Sequence, residues 1–399
     1  MTNKRVELNA FGALPSPITC PFDGGWVLYL PLTDQMLVLN PSAKLVWEML
    51  VRECEHDEIA SALAEHFGIS FERASSDVGQ ILASLKDIKS KSDAAAGYPI
   101  SLSLSTEVAS ACVASQLDFE YCGSFRFGES LINVLSTVPE VNESFFSRFR
   151  HRAVGNGEDA DVLEVSRRDT TYCLIFRGSL LAEVTTVNAM MWCVIELLLN
   201  LEHSNTALLA YCHSAAVSKG NHRLLMPGRS GVGKSTLTAF LVVNGFAYVG
   251  DDVIAIGEDD GALLPLPTCL SIKSGSWPIL EQFYPGLGQL PTLNRYGRSM
   301  RHVEPQHNYE VLPATSAPSA IVFPAYKEGN QTHLSSLPPL QTMIHLLGAH
   351  AALATPATED KLRKLIRFVE QTPAYELTYS ELPSALKAIE DLLAAQPQQ

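Results

Sequence analysis

The run Gly228-Arg-Ser-Gly-Val-Gly-Lys-Ser235, followed by Thr236, lies between a β-type stretch, His222-Arg-Leu-Leu-Met226, and an apolar helical stretch, Leu237-Thr-Ala-Phe-Leu-Val-Val243. It fits GxxxxGK[ST], and a strand before and a helix after are the frame that motif needs. Gly228, Gly231 and Gly233 let the backbone take positive φ and approach an anion closely, so that successive amides, those of Arg229, Ser230 and Val232 included, can point at a phosphate. The start of the next helix adds its positive end. Lys234 is then placed to reach β- and γ-phosphate oxygens, and the Ser235 hydroxyl to ligate Mg²⁺. The stretch predicts an α/β domain whose residues 228–236 bind ATP or GTP with Mg²⁺.

A metal needs a protein carboxylate as well. Phe246-Ala-Tyr-Val-Gly250 runs straight into Asp251-Asp252 and on to Val253-Ile-Ala-Ile256, one helix and a short turn beyond the loop. Two adjacent acids exceed a single Mg²⁺ contact; one can hold the ion while the other takes the proton of an attacking hydroxyl. Upstream, His213 lies in Tyr211-Cys-His-Ser-Ala-Ala-Val217, expected to be a strand next to the loop's strand. Alone it reads as a hydrogen-bonded core residue; beside an aspartate it can orient the carboxylate and tune its pKa. Arg295, Arg298 and Arg301 fall in the Gly- and Pro-punctuated stretch from Tyr284 to Pro305, read either as a mobile lid over the phosphates or as a solvated loop.

The N-terminal residues have a different grammar. Trp26-Val-Leu-Tyr-Leu30 and Gln35-Met-Leu-Val-Leu39 read as a hairpin, and Asn40-Pro41 as the N-cap and first position of a helix. A second helix carries Ile59, Leu63, Ala64 and Phe67 and stops at Gly68; a third carries Val78, Ile81, Leu82 and Leu85. This predicts a small winged-helix-like α+β domain over residues 1–90, a linker over 91–104 within a polar, Ala/Gly-containing stretch, and the larger α/β domain over 105–395.

Composition narrows the partners. A chain of 399 residues has room for two or three units, and 46% hydrophobic with 18% charged residues describes a folded, soluble protein. A net charge of -14 argues against a general nucleic-acid binder, which needs clustered bases, and leaves small molecules or proteins. The eight cysteines occur singly in mostly apolar segments and read as reduced core residues. The N-terminus lacks a secretory apolar run, which points to the cytoplasm. Val187 to Leu201 is apolar but is interrupted by Asn188, Glu196 and Asn200, so a buried helix is expected there and no membrane span.

His213-Ser-Ala, the phosphate loop and Gly250-Asp-Asp, in this order, resemble the HPr kinase/phosphorylase fold, and more closely the HPr-kinase-related kinases. Leu270-Ser-Ile-Lys-Ser-Gly-Ser276, Ile321-Val-Phe-Pro-Ala-Tyr326 and Tyr375-Glu-Leu-Thr-Tyr-Ser-Glu-Leu-Pro-Ser-Ala-Leu386 extend the resemblance over about residues 105 to 395. It implies a PEP carboxykinase-like P-loop fold, with Asp251 as proton acceptor, Asp252 as Mg²⁺ partner and His213 as the partner of Asp251. Relatives of this fold are often homo-oligomers. The Glu-Ile-Arg-Gly-type signature of true HPr kinases is replaced here by Pro267-Thr-Cys-Leu-Ser-Ile-Lys273, where Lys273 either meets phosphate or acceptor or is a surface lysine.

Gly25-Trp-Val-Leu-Tyr-Leu30, Leu39-Asn-Pro-Ser-Ala-Lys-Leu-Val-Trp47 and the helix from Ile59 to Phe67 are similar to the PqqD family, the peptide-binding RiPP recognition element. That resemblance implies an extended peptide added to the sheet edge of residues 26–39 and lying against the helix around Asp77 to Leu85. A packing or dimer module is the alternative. Taken together, the two halves suggest a kinase that phosphorylates a Ser or Thr hydroxyl of a peptide or small carrier protein held by the N-terminal domain, tethering raising the local acceptor concentration. A nucleotide-dependent non-catalytic switch and a small-metabolite kinase are the competing classes.

Overall fold

Alternating apolar residues and tight turns shape the start of the chain. The computed structural model describes residues 17–31, 35–94, 119–155, 157, 159–295, 297–304 and 317–395. The chain divides into one unit of Met1–Pro99 with Ala357–Arg363 and another of Ile100–Pro356 with Lys364–Gln399.

In the first unit, β1 (Ile18–Phe22), β2 (Gly25–Leu30) and β3 (Gln35–Leu39) form an antiparallel sheet in that order. The hairpin is the expected one. β1 was not foreseen, because Pro21 argues against a strand; it is tolerated here since β1 is an edge paired only with β2. α1 (Pro41–Val51) starts on Asn40, whose side chain accepts from the Ala43 amide at 2.8 Å. α2 (His56–Phe67) ends at Gly68 in the left-handed region, and α3 runs from Phe71 to Ala94. The helix therefore continues into the expected linker, of which residues 95–104 lie outside the described residues. Val46, Leu50, Ile59, Ala60, Leu63, Ala74 and Val78 close the helical core. Trp47 packs against Leu28, Leu30 and Leu39 of the sheet. Full burial of a large aliphatic side chain contributes about 1.5–3 kcal/mol, which is what holds so small a unit together.

The second unit begins with a sheet of order β6-β4-β5-β7-β8-β9, made of β4 (Glu120–Phe127), β5 (Ser130–Ser136), β6 (Ala153–Val154), β7 (Asp161–Arg168), β8 (Thr171–Phe176) and β9 (Ser179–Val184). α4 (Pro139–Phe149) is fixed to it by Phe145 and Phe149, whose rings meet Phe125 and Phe127 edge-on and each other at a tilt. α5 (Val187–Glu202) is the expected buried helix, capped by Thr186. No helix among the described residues is long and apolar enough to cross a membrane.

Two further sheets share their strands in an interleaved order. One runs β13-β11-β12-β19-β22-β20, with β11 (Ser214–Lys219), β12 (His222–Pro227), β13 (Ala247–Gly250), β19 (Ala320–Tyr326), β20 (His333–Leu337) and β22 (Ala374–Tyr379). The other runs β15-β14-β10-β21, with β10 (Leu208–Cys212), β14 (Ile254–Gly257), β15 (Leu263–Pro265) and β21 (Ala352–Leu353). β12, β19 and β22 are mutually parallel, and β13 shares their direction because antiparallel β11 separates it from β12. Four carboxyl ends thus point to one edge. α6 (Lys234–Val243) and α10 (Leu382–Ala394) cover this sheet through a core that includes Leu224, Met226, Leu237, Leu241, Val322 and Ile389. α8 (Pro339–Gly348) and α9 (Glu359–Gln371) are further helices of the chain.

The stretch read as a mobile lid or a solvated loop contains paired strands, so it is not an irregular loop. β16 (Leu270–Lys273), β17 (Leu293–Arg295) and β18 (Arg298–Val303) form a sheet of order β16-β18-β17, and Tyr284 and Leu287 are buried beneath α7 (Trp277–Leu280) and its surroundings. Regular pairing to β16 and two buried anchors overrule the Gly and Pro punctuation.

Candidate active site

Positioning of the 228–235 loop, the candidate phosphate cradle, follows from the sheet. Gly228 succeeds β12 at its carboxyl end, the loop crosses the sheet edge, and Lys234 opens α6. Gly231 and Gly233 have φ of 104° and 99°, conformations that side chains with a Cβ resist. Gly228 differs from expectation: its φ is not positive, and its need is for space, since a Cβ there would stand 2.8 Å from Val232 Cγ2. The loop is tied down by Val232 N–H to the Arg229 carbonyl (3.4 Å), Arg229 Nε to the Gly348 carbonyl (3.0 Å) and Thr236 Oγ1 against Ser276 Oγ (2.6 Å). Lys234, 5% exposed, turns its ammonium back onto the carbonyls of Gly228 and Arg229. Burial lowers its pKa to about 8, against the upward pull of Asp251 and Asp252.

His213 and the two aspartates share an unusual place in the chain. At His213 the backbone leaves the sheet of β10 and enters that of β11; at Asp251–Val253 it leaves β13's sheet for that of β14. Backbone groups released from the ladders bond across this double crossing: Gly228 N–H donates to the His213 carbonyl (3.1 Å), His213 N–H to that of Ala349 (2.9 Å) and Ser214 N–H to that of Asp252 (3.3 Å). Asp252 takes φ of 80°, a strained value for a non-glycine residue of the kind that clusters at working sites.

That turn gives the two carboxylates different neighbours. Asp251 is 1% exposed; its Oδ2 accepts from Ser271 N–H at 3.4 Å, and the Ser235 hydroxyl donates to it. Burial, and then the charge of Asp252, raise the Asp251 carboxyl above the usual carboxylate range. Asp252 is half-buried, with Oδ1 3.1 Å from His213 Nδ1 and Oδ2 paired to Arg148 Nη1. Burial would raise it, but Arg148 and then His213 hold it well below the usual range. The resemblance gives His213 to Asp251; the structure pairs it with Asp252, because the left-handed turn swings that carboxylate toward the β10–β11 joint. His213 Nδ1 also lies 2.7 Å from the Asp252 carbonyl, which can only accept, so Nδ1 carries a hydrogen and, in the tautomer this sets, Nε2 is the acceptor.

Basic residues reach the loop from β16 and β18. Lys273 Nζ donates to Ser230 Oγ at 2.7 Å, and Arg298 Nη1 comes within 3.5 Å of the same oxygen. Arg301 turns away and stacks on Trp277, 3.9 Å from the ring centre. The side chain of Arg295 lies outside the described residues. Arg148 and His350 were not anticipated. Arg148 precedes Asp252 by more than a quarter of the chain, and nothing local in α4 marks it. His350, at φ 56°, has its pKa lowered by burial and by the charges of His213, Arg229 and Lys234, and its Gly348–Ala349 neighbours hold the loop and His213.

These residues suit Mg²⁺ on chemical grounds. A buried carboxylate pushed up in pKa and touching a serine hydroxyl is an oxygen pair that gains from a hard cation. No group of three His, Cys, Asp or Glu that could hold a metal occurs among the described residues, and Mg²⁺ shared with phosphates needs only one or two carboxylates. The seven described cysteines form no disulfide, and five of them are buried; Cys112 lies outside the described residues.

Comparison with known proteins places one part of the chain. No curated protein matches it. The family model for coenzyme PQQ synthesis protein D (PqqD) matches residues 25–89, the span of β2, β3, α1, α2 and most of α3. Residues 25–89 are a PqqD-like domain of the RiPP recognition element type.

Proposed function

We propose that the protein is a kinase that takes the γ-phosphoryl group of ATP or GTP, with Mg²⁺, and transfers it to a Ser or Thr hydroxyl of a peptide or small carrier protein held by the PqqD-like domain. The larger unit is read as a P-loop domain of the HPr kinase-related type. One observation carries the proposal: the phosphate loop, Lys234, Ser235, two acids and a histidine converge where four strand ends meet. Loop amides and α6 would cradle the phosphates, with Lys273 and Arg298 adding charge to the leaving and transferred groups. Bound Mg²⁺ supplies charge neutralisation of the phosphates.

Contacts within the site favour exchanging the roles of the two aspartates. Asp251, beside Ser235, is the metal-side carboxylate. Asp252 fixes the His213 ring so that Nε2 takes the proton from the acceptor hydroxyl, while Arg148 holds Asp252 in its ionised form. The PqqD-like domain supplies the peptide, consistent with what such domains bind, through the edge of β3 that no strand among the described residues pairs.

Incubation with γ-labelled ATP and candidate peptides tests the transfer. Label on peptide supports it; label on a small molecule, or slow release to water alone, overturns it. His213→Ala should slow transfer by about 10²–10⁴-fold with nucleotide affinity within twofold, and Asp251→Asn should remove the Mg²⁺ dependence of nucleotide binding. An Asp251→Asn variant that binds nucleotide and Mg²⁺ normally but fails to transfer would restore Asp251 as the proton acceptor.

A further inference from the structure

The acids, His213 and Ser235 all lie toward the β11–β13 side of the phosphate loop. On the other side β19 runs parallel to β12, and its last residue, Tyr326, stands at the same strand-end edge where ligands of open α/β sheets bind. Tyr326 is 50% exposed, yet it is firmly held. Its N–H donates to the Val232 carbonyl within the loop at 3.3 Å. Its ring meets Tyr379 edge-on, 5.8 Å between centres at 72°. Tyr379, 1% exposed, extends its hydroxyl to the Gly233 carbonyl at 3.4 Å.

Gly233 is the reason the pair can approach. A Cβ at that position would lie 2.5 Å from the Tyr379 hydroxyl and 3.3 Å from Tyr326 Cβ. The turn after Tyr326 is equally fixed: Lys327 N–H donates to the Tyr379 carbonyl (2.8 Å), Asn330 N–H to that of Lys327 (3.1 Å), and Ser380 Oγ to that of Asn330 (2.7 Å). This turn leaves Lys327, Glu328 and Asn330 exposed around an open aromatic face.

With the metal and reacting phosphate on the acid side, a triphosphate lying along the loop delivers its nucleoside to the tyrosine side. We infer that the exposed face of Tyr326 is the platform on which the purine of the nucleotide stacks, with the 327–330 turn beside the base edge. A flat, rigidly backed ring offers any base a π-face at little entropic cost. The inference rests on the phosphate-loop reading and extends it to the base.

Calorimetry on the full chain with Mg²⁺ separates the two, using ATP and inorganic tripolyphosphate as probes. Tyr326→Ala is expected to weaken ATP binding about tenfold, a typical stacking contribution, and to leave tripolyphosphate within twofold. Tyr326→Phe is expected to hold both within twofold. Equal loss of both ligands in Tyr326→Ala, or loss of neither, overturns the platform while leaving the phosphate loop standing. A wild-type chain that binds neither ligand overturns both.

Discussion

Between residues 17 and 84 no buried side chain among those described carries a charge, whereas the larger unit buries Lys234 and Asp251 within electrostatic reach of each other. The core of the first region is apolar, its ion pairs lie on the surface, and β3 has one edge with no partner among the described strands. The second spends stability to keep charges out of water, as sites built for polar chemistry do. The proposed division, binding by a strand edge and chemistry by desolvated charge, would leave these different marks in one chain.

The largest test of this contrast is Lys234→Ala, which should abolish phosphoryl transfer and most nucleotide affinity while residues 1–95 still capture peptide; loss of both functions would erase the division. Next is Trp47→Ala. Removing this 5%-exposed ring from between sheet and helix should cost about 3–5 kcal/mol and unfold the small unit, read as lost peptide capture with tripolyphosphate binding intact.

The two aspartates should then respond oppositely. The carboxyl of Asp252 is depressed, so its ion pair stabilises the fold above the ordinary value of 3.8 and the benefit disappears as pH falls through the lower folded value. Asp252→Asn should lower stability at pH 7.5 by about 1–2 kcal/mol, the difference closing in strong acid. Asp251 is raised, so its ionised form penalises the fold above its folded pKa, and nothing is lost below 3.8. Asp251→Asn should therefore raise the melting temperature of the larger unit by about 2–4 °C at pH 7.5 and by nothing near pH 3.5, even as function is lost. Melting curves at the two pH values decide it, and a destabilised Asp251→Asn at pH 7.5 would contradict the burial argument.

Much of this was legible in the residues. Gly228 to Ser235 was readable because a loop, a strand and a helix in series are local, and Asn40-Pro41 and Gly68 marked helix ends for the same reason. What resisted reading depends on distant pairing. The 284–303 region looks like a loop until β16 supplies its partner strand, and His213 was expected mid-strand when it stands between two strands of different sheets. Asp252's partner could not be chosen from spacing either. Adjacent residues on a strand face opposite ways, and only the φ of 80° decides where each acid points.

The double crossing of the chain between two sheets has a mechanical corollary. His213 and Asp252 are each tied by backbone hydrogen bonds at the joint between the two layers, so a slide of one layer over the other acts directly on their spacing. On the proposed mechanism the spacing of His213 and Asp252 is thereby coupled to strand registry, so substitutions elsewhere along the seam between the two sheets should change the transfer rate more than nucleotide affinity.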